Sequence, residues 1–196
     1  MIKVVLSPEI PPSNSEADLV NELFAVGLQH YHLRKYESTK AELINFLDLI
    51  NPIYYSRIVL HQHFELLRHY PLQGIHLNSH IKSELPNYLK LLDSTQTISC
   101  STHSIPELLA EDHHFHYFFL SPIFKSISKP NYESKFSSNE LQSLLASTNK
   151  LIYGLGGIDL TTIEQAGALG FKGVVLLGGI WNTADPLAAF RQIQYK

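Results

Sequence analysis

The chain has 196 residues, 44% hydrophobic and 17% charged, with a formal net charge of −3. That length supports one substantial core and is short for two, and the mild negative balance excludes a broadly basic nucleic-acid surface. Cys100 is the single cysteine, which excludes an intrachain disulfide, and no apolar run reaches membrane-spanning length. The opening stretch MIKVVLSPEIPPS is too short in its apolar part for a secretory signal. A cytoplasmic protein with no membrane or nucleic-acid partner is therefore expected.

Short apolar runs alternate with longer amphipathic stretches along the whole chain. The runs predict strands over 2–6, 29–34, 58–61, 74–77, 97–101, 117–120, 151–154 and 173–177. Each is too short and too regularly interrupted to be a helix. The stretches between and after them predict helices over 17–26, 40–50, 64–70, 86–92, 105–111, 139–146, 161–169 and 186–193. Thr39 with Glu42 reads as a capping box, Ser104 precedes Pro106, and Asp185 precedes Pro186. In the second helix Ala41, Ile44, Leu47 and Ile50 predict the apolar stripe. Strand-helix alternation demands a mostly parallel sheet, and eight such units favour an α/β fold closed into a (β/α)8 TIM barrel, one domain over 1–196. The long polar segment 121–138 follows the sixth strand, where a barrel keeps its active-site loops, and is a candidate lid or anion clamp.

Functional residues of such barrels sit at the C-terminal ends of the strands. Two glycine doublets, Gly156-Gly157 and Gly178-Gly179, end the last two strands. Without a Cβ in the way, their backbone amides can approach a ligand closely, which makes this the phosphate-holding corner of a barrel. Arg34, Lys35, Lys125 and Lys129 lie at other strand ends and can converge on a phosphate-bearing ligand, with the hydroxyls of Ser101, Ser126 and Ser128 as neutral donors. His61 and His63 have the i, i+2 spacing of a metal pair on a strand, but no nearby Asp, Glu or Cys completes a set, so no metal site is expected. His76 reads as a hydrogen-bonded wall residue, and His113, His114 and His116 as surface or structural residues on the opposite face. His103 follows the fifth strand among hydroxyls, and histidine is the side-chain type most suited to proton transfer; catalytic and structural roles are both open to it.

The stretches YHLRK, GIHLN, CSTHS, FFLSPIFKSISK, YGLGGID and GVVLLGGIW, in this order and spacing, resemble the thiamine-phosphate synthase/TenI superfamily along essentially the whole chain. The resemblance implies a (β/α)8 barrel, a role in thiamine biosynthesis and one of two reactions. Synthases join a pyrimidine diphosphate to a thiazole phosphate, releasing pyrophosphate with Mg²⁺ assistance. Thiazole tautomerases move a double bond in the thiazole phosphate carboxylate by proton transfer, without metal. The resemblance implies a catalytic set of His103, Arg34 and Lys129. It places His32, Lys35, Ser101, Ser126 and Ser128 at substrate, and Gly156, Gly157, Gly178 and Gly179 on the thiazole phosphate. It also makes a homodimer a candidate assembly.

Departures from the family pattern bear on the choice of reaction. Where synthases have Asn-Asp-Asp after strand three, this chain has His61-Gln62-His63. The aspartate past strand four has no counterpart in Asn78-Ser79-His80-Ile81; His32 replaces a glutamine, and Lys35 comes one residue early. Mg²⁺ prefers oxygen ligands, usually including carboxylates. No cofactor is therefore expected unless the protein is a synthase using Mg²⁺, and metal-free tautomerase chemistry is favoured. A variant synthase and a non-catalytic phosphate-ligand barrel are the alternatives.

Overall fold

Eight parallel strands close on themselves in this computed structural model, which describes residues 1–111, 114–125 and 134–196. They are β1 (Ile2–Leu6), β2 (His30–Leu33), β3 (Ile58–Leu60), β4 (Gly74–Leu77), β5 (Thr97–Thr102), β6 (Tyr117–Leu120), β7 (Ile152–Leu155) and β8 (Gly173–Leu176). The last strand returns to the first with Val175 opposite Val4. Parallel neighbours need crossover connections, and the helices outside the barrel supply them. The expected (β/α)8 barrel is thus present, with each strand end within a residue of its predicted place. No helix among the described residues is long and apolar enough to cross a membrane.

The helices are α1 (Asn14–Ala25), α2 (Lys40–Asp48), α3 (Leu85–Tyr88), α4 (Ile105–Ala110), α5 (Ser138–Ser147), α6 (Ile163–Leu169), α7 (Gly178–Trp181) and α8 (Pro186–Gln194). Thr39 and Glu42 form the expected capping box, and the side chains of Ser104 and Asp185 accept from Glu107 N and Ala188 N. The stripe on α2 is different from the expected one: Leu43, Phe46, Leu47 and Ile50 are buried, whereas Ala41 is exposed. A strict spacing of three slips by about 60° per step on a helix of about 3.6 residues per turn, so it cannot keep one face inward. Segment 64–70 is a 3-10 turn, Phe64–Arg68, because His63 before it takes a left-handed backbone (φ 52°) and offers no cap. Segment 86–92 breaks into α3 flanked by 3-10 turns, and none of its residues is buried. Leu85, Tyr88, Leu89, Leu91 and Leu92 touch the core but are only partly buried, so a long helix there gains little from packing.

The barrel interior is divided. Val4, Leu6, Tyr117, Phe119, Tyr153 and Val175, from β1, β6, β7 and β8, form an apolar half. The half supplied by β2 to β5 is polar, with His32, His61, His76 and Ser99 all buried. His32 Nδ1 lies 2.9 Å from His61 Nε2, and its Nε2 lies 2.9 Å from the Tyr117 hydroxyl. His76 is bonded through Nδ1 to Ser99 Oγ and through Nε2 to Ser101 Oγ, both at 2.8 Å. Burial pushes all three imidazoles below their usual range, His76 to about 3, so they are neutral. His32, expected at substrate, is therefore corrected: both ring nitrogens are engaged inside the barrel, with no face left for a ligand.

Lys35 needs the same correction. Its ammonium is buried and donates to Glu16 Oε2 at 2.6 Å, Pro8 O at 2.9 Å and Ile10 O at 2.8 Å. An ammonium has three protons, and these three acceptors use them all. Glu16 in turn accepts from the Tyr31 hydroxyl at 2.7 Å. The lysine thus ties the β1–α1 loop down across the end of β2 and is unavailable to a phosphate.

Two stability predictions follow from these buried groups. Lys35→Met leaves Glu16 buried without its cation and should lower unfolding free energy by about 3–5 kcal/mol in urea titrations, with part recovered by adding Glu16→Gln. The unfolded chain protonates His76 below about pH 6.5 while the folded chain resists until about 3, so stability is full above that window and falls as pH drops through it. At pH 5 this residue alone should remove about 2 kcal/mol, read as a shift in urea midpoint relative to pH 7.5.

Candidate active site

A cavity of about 580 Å³ opens where the strands end, on the face that a (β/α)8 barrel uses for chemistry. Leu6, Phe119 and Val175 form apolar parts of its wall, continuous with the apolar half of the interior. Around this base stand two polar regions of different chemistry.

The first is the glycine corner. Gly156 and Gly157 have φ values of 102° and 67°, which L side chains rarely adopt. A Cβ on Gly157 would also collide with the backbone carbonyl of Lys125, so this turn rests directly on the chain leaving β6. A Cβ on Gly179 would strike Ile158 O, so the second doublet packs against the loop of the first. Gly156, Gly157 and Gly178 line the cavity. Gly179 is buried beside them in α7, a short extra helix after β8. The amides of Gly178 and Gly179 head that helix, where backbone donors have no intrahelical acceptor. Trp181 Nε1 donates to Leu6 O at 2.8 Å and fixes α7 to β1.

The second region is the wall from β2 to β5. Arg34 reaches the cavity with its terminal nitrogen 2.8 Å from Glu9 Oε1, and its Nε is buried with no hydrogen-bond partner. Ser7 clamps the arginine backbone, accepting from Arg34 N at 2.8 Å and donating to Arg34 O at 2.9 Å. Ser101 lines the cavity and is held from behind by His76. His103 also lines it, with Nδ1 3.2 Å from Ser121 Oγ and its backbone N bonded to Glu107 Oε2 at 2.7 Å. The structure therefore brings Arg34, Ser101, His103, Gly156, Gly157 and Gly178 to one cavity. Ser126, Ser128, Lys129 and His113 lie outside the described residues.

His61 and Glu9 are two of the cavity residues missing from the expected ligand set. His61 was considered only as half of a metal pair; its Nδ1 is buried and unpartnered at the cavity wall. Glu9 sits in the loop after β1, and the end of that strand belongs to the same functional face, which is the signal that could have found it.

The family's Mg²⁺ does not fit the residues present. Both ends of the Gln62 amide bond the backbone of Lys35, and His63 Nε2 faces Ser38 O at 3.1 Å. Asn78 Oδ1 accepts from the amides of His80 and Ile81. Among the described residues lining the cavity, Glu9 is the one carboxylate, and Arg34 holds it. A hard cation would find there only a single carboxylate, whose charge Arg34 already balances. His32, His61 and His76 lie close enough to raise the question of a softer metal. However, the His61 and His76 rings stack at 4.4 Å with only 19° between planes, so their in-plane lone pairs run side by side and do not converge.

Comparison with known proteins agrees with this architecture. Residues 3–180 match the family model described as thiamine monophosphate synthase. A thiamine-phosphate synthase of Chlorobium phaeobacteroides is 24% identical over 184 residues, covering 92% of this chain and 89% of the relative. The solved thiamine phosphate pyrophosphorylase of Bacteroides thetaiotaomicron superposes with a TM-score of 0.81 at 31% identity, covering 98% of this chain and 95% of that one. The Pyrococcus furiosus thiamine phosphate pyrophosphorylase, at 14% identity and a TM-score of 0.79, shares the fold. The chain belongs to the thiamine monophosphate synthase family.

Proposed function

We propose that this protein is a cytoplasmic thiamine-biosynthesis enzyme that acts on a phosphorylated thiazole, as a synthase-type transferase. The observation that supports the substrate is the glycine corner, which lines the cavity through Gly156, Gly157 and Gly178 at the strand ends where such barrels hold phosphate. The transferase reading rests on the similarity to the Bacteroides thetaiotaomicron pyrophosphorylase over nearly the full chain. In this reading the thiazole phosphate is gripped at β7 and β8, and Arg34 across the cavity receives the diphosphate of a pyrimidine partner. The thiazole nitrogen attacks the pyrimidine methylene, the carbon–oxygen bond to the diphosphate breaks, and pyrophosphate leaves with the electron pair. Arg34 balances the charge that develops on that leaving group. Apolar contacts from Phe119 and Val175 exclude water from the reacting carbon.

A second reading, thiazole tautomerase, is favoured by one specific observation: the metal-binding carboxylates are missing while His103 stands in the cavity wall. Here His103 moves the proton, Arg34 pairs with the substrate carboxylate and the glycine corner keeps its role.

Incubating the purified protein with thiazole phosphate and pyrimidine diphosphate, in Mg²⁺ and in EDTA, and separately with the thiazole phosphate carboxylate tautomer, separates the two. The transferase reading expects thiamine phosphate to form, and its absence under both conditions with conversion of the thiazole tautomer would overturn it. His103→Gln should lower tautomerase turnover by at least about 100-fold, without loss of thiazole phosphate binding, if that residue is the acid/base.

A further inference from the structure

Arg34 is the only Lys or Arg among the described residues lining the cavity, and it is paired with a carboxylate, Glu9. A carboxylate inside an anion pocket works against the ligand unless it has a purpose. Surface ion pairs often arise by chance from flexible side chains, but this one is built in at both ends. The two carbonyls flanking Glu9, Pro8 O and Ile10 O, accept from the same buried ammonium of Lys35. Lys35 is itself locked to Glu16. On the other side, Ser7 clamps both backbone polar atoms of Arg34. The backbones bearing the acid and the base are therefore held against each other independently of their own ion pair.

We infer that Glu9 is a built-in counter-anion: it occupies the anion position at Arg34, and an incoming phosphate ligand must displace it. The geometry makes displacement feasible. The Glu9 side chain is 61% exposed and can swing into solvent, whereas the Arg34 side chain, at 19%, stays where it is. The buried Arg34 Nε, lacking a partner, then becomes the donor that a ligand oxygen can satisfy and Glu9 does not. Because the acid competes for the arginine itself, it weakens every ligand that uses Arg34 by a similar factor, the fraction of molecules in which the pair is open. Lys35, read from the sequence as a direct phosphate ligand, acts on the anion site at one remove, by holding the loop that carries Glu9.

This inference rests on the proposal that the cavity takes phosphate ligands, and the test separates the two. Inorganic phosphate and pyrophosphate are titrated calorimetrically, in EDTA, into the wild type, Glu9→Gln, Arg34→Gln and the double variant. Glu9→Gln should bind both probes about three- to tenfold more tightly, as expected for removing a partly exposed ion-pair competitor. In the Arg34→Gln background the same change should gain less than about twofold. Unchanged or weaker binding by a folded Glu9→Gln protein overturns the inference while leaving the phosphate site standing. Equal gain with and without Arg34 also overturns it, because the acid would then be acting through general repulsion. If neither probe binds to any variant, the phosphate reading fails and takes the inference with it.

Discussion

Closing eight parallel strands on themselves forces every second side chain into a space that must be filled and hydrogen-bonded. Here β1, β6, β7 and β8 fill their share with apolar groups, while β2 to β5 bring in histidine and serine. The polar half is tolerable because its members largely satisfy one another, His32 with His61 and Tyr117, His76 with Ser99 and Ser101, with His61 Nδ1 left over at the cavity wall. The same division continues upward into the cavity. Glycine amides stand over the strands of the apolar half, and Arg34, Ser101 and His103 stand over the strands of the polar half. One cavity thus offers two anion-compatible walls facing each other, with apolar surface between them. That arrangement suits a flat heterocycle carrying a phosphate at one end.

Polar groups around the cavity are positioned by buried partners outside it. Lys35 lies beyond the wall and shapes the loop that delivers Glu9. His76 stands behind Ser101, and Glu107 fixes the backbone at His103. Such supports are costly to break, since each leaves a buried donor or acceptor unmatched. They also leave the reactive groups few alternative positions, which is what a site must have if binding energy is to be used for orientation.

The barrel was legible from the sequence because strand-helix alternation repeats eight times and each strand is short, apolar and bounded by breakers. The glycine corner was legible for a similar reason: the requirement for left-handed φ at Gly156 and Gly157 leaves glycine as the residue that fits. Lys35 and His32 were misread because strand-end position alone does not say which way a side chain points. Lys35 turns outward to meet Glu16 on α1, a partner 19 residues away that no spacing rule connects to it. His32 turns inward, to His61 and Tyr117 inside the barrel. Glu9 was overlooked since a lone acid in a proline-rich loop looks like solvent-facing chain until the loop is seen folded over Arg34.

The anions of the ligand should be held by the glycine corner and Arg34, with no metal bound through side-chain carboxylates. A crystal structure of the protein soaked with thiazole phosphate and pyrophosphate in excess Mg²⁺ tests it most directly. The expected density shows the thiazole phosphate at the glycine corner, the second anion on Arg34 with Glu9 displaced, and no carboxylate-bound metal. Phosphate density elsewhere in the barrel, or a metal ion coordinated by Glu9 against the pyrophosphate, would contradict it.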